Sequence, residues 1–350
     1  MSDNVFPGMS DYGWDEALEA SFTPHREAGL VPARVARVDR GRCDLITGTG
    51  PTRATIPTDL TPFPCTGDWV ALHPGEAVLA EVLPRRTALV RSSASRRSDG
   101  QVLAANVDTV VVVVSLAARL ALGRVERMLA LAWESGARPV VVLTKADLAD
   151  DTERALAEVA AAAPGADVLA VSATTGDGLD ALRAVLTGTI VLIGPSGAGK
   201  STLGNALLGT ERLAVGEVRA ADGKGRHTTV HRELLALPHG GVLIDTPGLR
   251  AVGLWDADSG VRQAFAEIEE LAERCRFADC AHGGEPGCAV LAAVESGELS
   301  QRRFDSYLAL QRENEWIASR TDARLRLARK NERKAITRFQ RKLYRERGRG

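Results

Sequence analysis

From Val107 to Ile193 short apolar runs alternate with stretches of helical spacing, and no other feature restricts the fold as much. Valine dominates Val107 to Leu116, a helical stretch covers Gly123 to Gly136, and an apolar run returns at Pro139 to Leu143. The rhythm continues through an Ala-rich helix at Thr152 to Ala163, a strand at Val168 to Val171, a helix at Leu179 to Leu186 and a strand at Thr189 to Ile193. Strands this uniformly apolar must be covered on both faces, so the pattern predicts an α/β domain with a parallel sheet between two layers of helices.

The last of these strands runs into Gly194-Pro195-Ser196-Gly197-Ala198-Gly199-Lys200-Ser201, followed by Thr202 and a helix. This is the G-x-x-x-x-G-K-[ST] pattern in the required strand-to-helix context. Its glycines let successive N–H groups curl around phosphates, Lys200 reaches the outer phosphates, and Ser201 offers a hydroxyl to Mg2+. A chance glycine-rich turn is the competing explanation, and the flanking strand and helix count against it. Such a loop does not tell ATP from GTP. Thr144-Lys145-Ala146-Asp147, directly after the strand ending at Leu143, has the form [NT]-K-x-D. The Asp147 carboxylate can accept from guanine N1–H and the exocyclic amine, a donor pair that adenine lacks, and Lys145 can lie over the ring. Alone, the four residues also fit a solvated loop. Ser172-Ala173, after the next strand, are expected to offer backbone N–H groups to guanine O6.

On the other side of the phosphates, Gly241 to Gly248 contains Asp245-Thr246-Pro247-Gly248. Asp245 is expected to hold Mg2+ through water, and the Gly248 N–H to meet the γ-phosphate. Between Ser201 and Asp245 lies Gly223-Lys224-Gly225-Arg226-His227-Thr228-Thr229, where Thr228 or, by preference, Thr229 is the expected Mg2+ ligand. The position after D-x-x-G is Leu249, which cannot hydrogen-bond a water. His227 is the candidate to position it, against a purely structural histidine, and slow intrinsic hydrolysis accelerated by a partner is expected. The order is unusual, because the guanine segments precede the phosphate loop. The domain reads as circularly permuted, which leaves a site intact when the original ends lie close together.

The flanks differ in character. Residues 1–32 carry Pro7, Gly8, Gly13, Pro24 and Gly29 without a sustained period and read as a mobile leader. Residues 33–100 hold short alternating runs at Ala33 to Val38, Arg53 to Ile56, Asp68 to Leu72 and Val78 to Val82, which suits an OB-type barrel. The permuted domain is expected at 101–258, a mainly helical module at 259–320 and a basic tail at 321–350. In that module Cys275, Cys280, His282 and Cys288 supply a closed donor set for one structural Zn2+, redox or free surface thiols being the alternatives. The remaining two of five cysteines, Cys43 and Cys65, are expected to pack as small hydrophobes. Arg324 to Arg349 holds twelve Lys/Arg against Glu332 and Glu346, so a chain of net charge −1 is acidic elsewhere. That tail, with Phe339 and Tyr344, suits RNA phosphates and occasional stacking, a solvated helix face being the alternative. Met1-Ser2-Asp3-Asn4 does not begin a signal peptide, and the longest apolar run, Val110 to Leu116, is far below the roughly 18 residues of a membrane span, so a cytoplasmic protein is expected.

Barrel, permuted GTP-binding motifs, Gly225 to Thr229 (GRHTT), Asp245 to Leu249 (DTPGL) and the Cys3His spacing together resemble the family of ribosome small-subunit-dependent GTPases, RsgA or YjeQ, over about residues 33–320. The resemblance implies a late maturation factor of the small ribosomal subunit whose barrel and zinc module dock on its 16S rRNA, with hydrolysis of GTP to GDP stimulated by the ribosome. It also implies a catalytic histidine at His227, and a monomer working without a membrane. Three other functions stay open on residues alone: a GTP-gated RNA-binding module with incidental hydrolysis, an ATP-dependent nucleic-acid remodeller, and a zinc-containing DNA-binding regulator.

Overall fold

The computed structural model describes residues 8–91, 100–214, 232–246 and 257–321, with the side chains of the last helix described as far as Ile317. Over residues 8–32 the structure departs from the expectation of a mobile leader. A short 3-10 turn at Met9–Tyr12 leads into helix α1 (Glu16–Glu27), capped by the Asp15 carboxylate, which accepts from Leu18 N at 2.9 Å. Leu18 and Phe22, one turn apart, are buried, and Trp14 meets both Phe22 and Trp69 edge to face at 5.6 and 4.8 Å between ring centroids. So short an apolar stripe gives no sustained period; its order comes from the surface beneath it.

Five strands follow: β1 (Val31–Asp39), β2 (Arg42–Thr47), β3 (Gly50–Thr55), β4 (Trp69–His73) and β5 (Val78–Val82). They close into a barrel in the order β1-β2-β3-β5-β4, antiparallel except where β3 meets β5 at Thr55 and Val78. This is the five-stranded OB-like barrel expected, with β2 added to the strands anticipated. Val35, Leu45, Val70 and Leu79 alternate inward to fill it. A hairpin of β6 (Ala88–Arg91) and β7 (Gln101–Ala105), also unanticipated, carries the chain to the next layer.

The α/β layer comprises β8 (Thr109–Ser115), α2 (Leu122–Glu134), β9 (Arg138–Thr144), α3 (Thr152–Ala162), β10 (Asp167–Val171), α4 (Leu179–Val185), β11 (Thr189–Ile193), α5 (Lys200–Leu208), β12 (Glu233–Ala236) and β13 (Val242–Asp245). The sheet order is β10-β9-β8-β11-β13-β12, parallel except for the antiparallel edge strand β12. Along β8, Val110, Val112 and Val114 enter one hydrophobic cluster while Val111 and Val113 enter another, so helices cover both faces as the valine run required. Helices α6 (Asp258–Ala264), α7 (Ala266–Ala272), α8 (Ala289–Ser296) and α9 (Gln301–Thr321) complete the described chain, with α6 packed on α2. Among the described residues no helix is long and apolar enough to cross a membrane.

Barrel and sheet are joined through Arg34, which is buried and lies 4.7 Å over the Trp69 ring. Its guanidinium donates to Tyr12 O at 2.8 Å, Asn106 O at 3.2 Å and Thr189 Oγ1 at 3.0 Å. One side chain thus connects the N-terminal turn, the barrel and the first residue of β11, the strand that delivers the phosphate loop. Burial lowers its pKa to about 10, with Asp108 and Asp68 opposing that shift, so the group remains a cation at neutral pH.

Candidate functional site

Four strand ends converge on the carboxyl edge of the sheet, where open α/β sheets bind ligands. In sheet order they bring Ser172-Ala173 after β10, Thr144 to Asp147 at and after the end of β9, Gly194 to Ser201 after β11, and Asp245 at the end of β13. Strand β8 separates β9 from β11, so the two loops nearest the phosphates flank a crevice rather than lie side by side.

The phosphate loop is forced to be glycine where it leaves the sheet. Gly194 has φ 154°, and a Cβ there would sit 2.4 Å from Val113 O on the neighbouring strand. Beyond it, the N–H groups of Gly197 and Gly199 have no acceptor among the described residues, and Lys200 and Ser201 open α5, where the backbone N–H groups of a first helical turn point toward the loop. Lys200 lies across the loop, its Nζ donating to Gly194 O at 2.9 Å and Pro195 O at 2.8 Å. Ser196 is exposed, Ala198 is buried beneath the loop, and Ser201 and Thr202 are half-buried at the start of the helix.

Two residues of the base-reading segment hold this loop directly. Thr144 Oγ1 is buried and lies 2.6 Å from Ala198 O and 3.2 Å from Val114 O. Lys145 adopts the left-handed conformation (φ 59°), which turns its side chain back across the crevice, and Nζ donates to Gly197 O at 3.0 Å. The stem of Lys145 is therefore a fixed apolar plank between the two loops. Asp147 lies in the short turn Ala146–Leu148 with an exposed carboxylate that has no partner among the described residues. A free carboxylate beside an apolar plank is what paired N–H donors of a purine edge require.

The Ser172-Ala173 loop differs from expectation in one respect. Ser172 N–H donates to Asp177 O at 3.0 Å, closing a tight loop in which Gly176 N also returns to Ser172 O at 2.9 Å. Of the two backbone donors anticipated, Ala173 N–H is the one left for a ligand. Sequence could not have shown this, because the loop is closed by Asp177, five residues on.

Asp245 is half-buried and faces Glu233 across the β12–β13 ladder. Burial raises its carboxyl above the ordinary value, Glu233 adds to the shift, and Lys200 opposes it. Next to it Thr246 is buried, with its hydroxyl unpartnered among the described residues. Asp245, the Thr246 hydroxyl and the Ser201 hydroxyl all stand at element ends on this edge of the sheet, and they are oxygen donors of the kind a hard divalent cation takes. His227, Thr228, Thr229, Gly248 and Leu249 lie outside the described residues, as does the basic tail.

In the helical module the Cys3His set is assembled as its spacing suggested. The ligand atoms of Cys275, Cys280, His282 and Cys288 all lie within 4.8 Å of one another. Cys275 Sγ is 3.9 Å from Cys288 Sγ and 3.8 Å from His282 Nδ1, close to the roughly 3.8 Å that two ligands about 2.3 Å from a tetrahedral metal must keep. His282 reaches the cluster from a left-handed backbone (φ 55°), while Cys288 caps α8 and its sulfur accepts from Leu291 N at 3.4 Å. Ala289 N donates to Cys275 Sγ at 3.3 Å. Backbone donors aimed at sulfur favour thiolates, so these residues can hold a metal ion with no position left open for chemistry.

A phosphate loop, a base-reading loop braced to it and a motif order displaced along the chain define a circularly permuted P-loop GTPase carrying an N-terminal OB-like barrel and a C-terminal Cys3His module. Residues 82–255 match the RsgA GTPase family. A small ribosomal subunit biogenesis GTPase RsgA of Streptomyces avermitilis is 61% identical over 90% of this chain and 88% of its own length. Another from Opitutus terrae is 45% identical over 97% and 99%. The chain belongs to the RsgA GTPase family. Among solved structures, YjeQ from Thermotoga maritima superposes with a TM-score of 0.62 at 27% identity, covering 81% of this chain and 98% of that one. YloQ, described as a circularly permuted GTPase, gives a TM-score of 0.59 at 26% identity over 81% and 95%.

Proposed function

We propose that this chain hydrolyses GTP to GDP and phosphate as a late maturation factor of the small ribosomal subunit, and that the subunit with its 16S rRNA stimulates the reaction. The observation that carries the nucleotide half is the bracing of Thr144 and Lys145 onto Ala198 and Gly197, which makes one rigid site of the base reader and the phosphate cradle. The printed names of the relatives support the ribosomal half.

Gly197, Gly199, Lys200 and Ser201 present N–H groups to the phosphates, and the Lys200 ammonium exchanges its two carbonyl partners for phosphate oxygens. Asp147 accepts from the guanine edge while the Lys145 stem covers the ring and Ala173 N–H meets O6. Ser201, Asp245 and Thr229 are the residues assigned to Mg2+, which when bound neutralises charge developing on the outer phosphates. Gly248 is assigned to the γ-phosphate and His227 to holding the attacking water. With Leu249 unable to orient water, hydrolysis by the isolated protein is slow. Cys275, Cys280, His282 and Cys288 hold Zn2+, which staples residues 259–320. The barrel at 33–100 and the tail at 321–350 supply RNA contacts around the GTPase domain at 101–258, in a cytoplasmic monomer.

Co-sedimentation with small subunits in GDP and in a nonhydrolysable GTP analogue tests the switch: the triphosphate form is retained and the GDP form released. Equal retention in both states would sink it. Asp147→Asn, which exchanges a double acceptor for a mixed donor and acceptor, is expected to move preference from guanine to xanthine nucleotides. Unchanged GTP preference in that variant removes the assigned role of Asp147.

A further inference from the structure

Beyond the phosphate loop, α5 ends at Leu208 and the chain reverses through Gly209, which is left-handed (φ 66°). The returning segment is fastened to the helix by the Asn205 side chain. Asn205, one turn beyond Ser201, accepts at Oδ1 from Leu213 N at 2.7 Å and Arg212 N at 3.1 Å, and donates from Nδ2 to Leu213 O at 2.9 Å. Both backbone polar groups of Leu213 are thus satisfied by one amide, the way a strand partner would satisfy them. The neighbouring position makes room for this contact. A Cβ on Gly204 would sit 2.4 Å from Leu213 Cδ1, so Leu213 rests on bare helix backbone and joins the hydrophobic cluster beneath.

What the fastened segment faces is a cleft of about 640 Å3. It is lined by Ala173 from the base loop, by Thr202 and Asn205 from α5, and by Thr210, Glu211 and Leu213 from the returning segment. We propose that Asn205 is a positioning residue: by fixing one wall of this cleft, which lies on the nucleoside side of the nucleotide site described above, it sets affinity for base and ribose without contacting the phosphates. This rests on the guanine-nucleotide reading above and names the group that shapes that site's nucleoside side. Asn205 does so because its amide supplies a donor and two accepting lone pairs at once; neither Asp nor Ala offers that combination.

The test compares GDP with inorganic pyrophosphate, by calorimetry on the full chain. Asn205→Ala is expected to weaken GDP binding about ten-fold, equivalent to about 1.4 kcal/mol, and to leave pyrophosphate affinity unchanged. Asn205→Asp, which keeps the acceptor for both N–H groups but sets an oxygen against Leu213 O, is expected to fall between Ala and wild type. Gly204→Ala, which displaces Leu213 without touching Asn205, is expected to reproduce the loss of GDP. Parallel loss of GDP and pyrophosphate in Asn205→Ala overturns the proposal, since a general defect of α5 gives that result; so does unchanged GDP affinity. Wild-type protein that does not prefer GDP over ADP refutes the parent guanine reading instead, and the two failures are distinct.

Discussion

Arg303 offers the most direct measure of how the helical module is held to the GTPase domain. Its side chain, 5% exposed, donates from Nη1 to the buried Glu126 of α2 at 2.9 Å and to Ala162 O at the end of α3 at 3.1 Å. Nε reaches Glu267 of α7 at 2.6 Å, Nη2 reaches Ala264 O at the end of α6 at 2.6 Å, and the guanidinium lies 4.1 Å over the Phe265 ring. Arg303→Met keeps much of the volume but removes every donor. Glu126, fully buried, then keeps only Arg302 among the described residues, and two helix-end carbonyls lose their cation. Removing one partner of a buried pair costs about 3–5 kcal/mol. At about 2–4 °C per kcal/mol for a cooperative unit of this size, the melting temperature falls by about 6–20 °C. Arg302→Met is the control, since that guanidinium is 46% exposed and a half-solvated pair contributes about 0–1 kcal/mol. Calorimetry of the nucleotide-free protein, with hydrogen exchange followed in α6, α7 and α9, reads both. A fall of less than about 3 °C for Arg303→Met, or equal falls for the two variants, would refute the view that buried charge rather than apolar packing fastens α9.

Two further outcomes follow from the titrating groups. Because burial raises the folded-state pKa of Asp245, the native state keeps that proton to higher pH than the unfolded chain; stability falls as pH rises through that window, and the penalty persists at neutral pH. Asp245→Asn therefore raises the nucleotide-free melting temperature more at about pH 7 than near pH 4, while weakening Mg2+-dependent GTP binding; equal stabilisation at both pH values, or undiminished Mg2+ dependence, contradicts this. Burial, aided by Asp44 and Asp68 respectively, pushes the Cys43 thiol to about 12 and the Cys65 thiol to about 11. Alkylation of the native protein is expected to spare both, and to reach Cys275, Cys280 and Cys288 only after chelation, as mass spectrometry would show; early labelling of Cys43 or Cys65 contradicts the buried placement.

The sequence by itself determined the features whose chemistry is local. Gly194 to Ser201 is legible because a strand, a glycine-bearing turn and a helix start occur in one uninterrupted run, and the Cys3His set because its four ligands fall within fourteen residues. The valine run from Val107 fixed the sheet's burial on both faces, and the displaced motif order declared the permutation. Tertiary structure decided whatever joins distant positions. Thr144 meets Ala198, and Arg34 meets Thr189 across 155 residues, through hydrogen bonds that leave no periodicity to read. Asn205 looks like any polar helix residue until the chain folds back and offers it Leu213. The N-terminal turn and α1 lacked a pattern long enough to predict order because their stability comes from Trp69 and the barrel wall, and a short helix gains little from its own propensity. Ser172, expected to present its N–H to a base, spends it on Asp177 instead, a choice set by loop closure rather than residue type. Local chemistry follows from residue type and spacing; which donors remain free for a ligand depends on long-range packing.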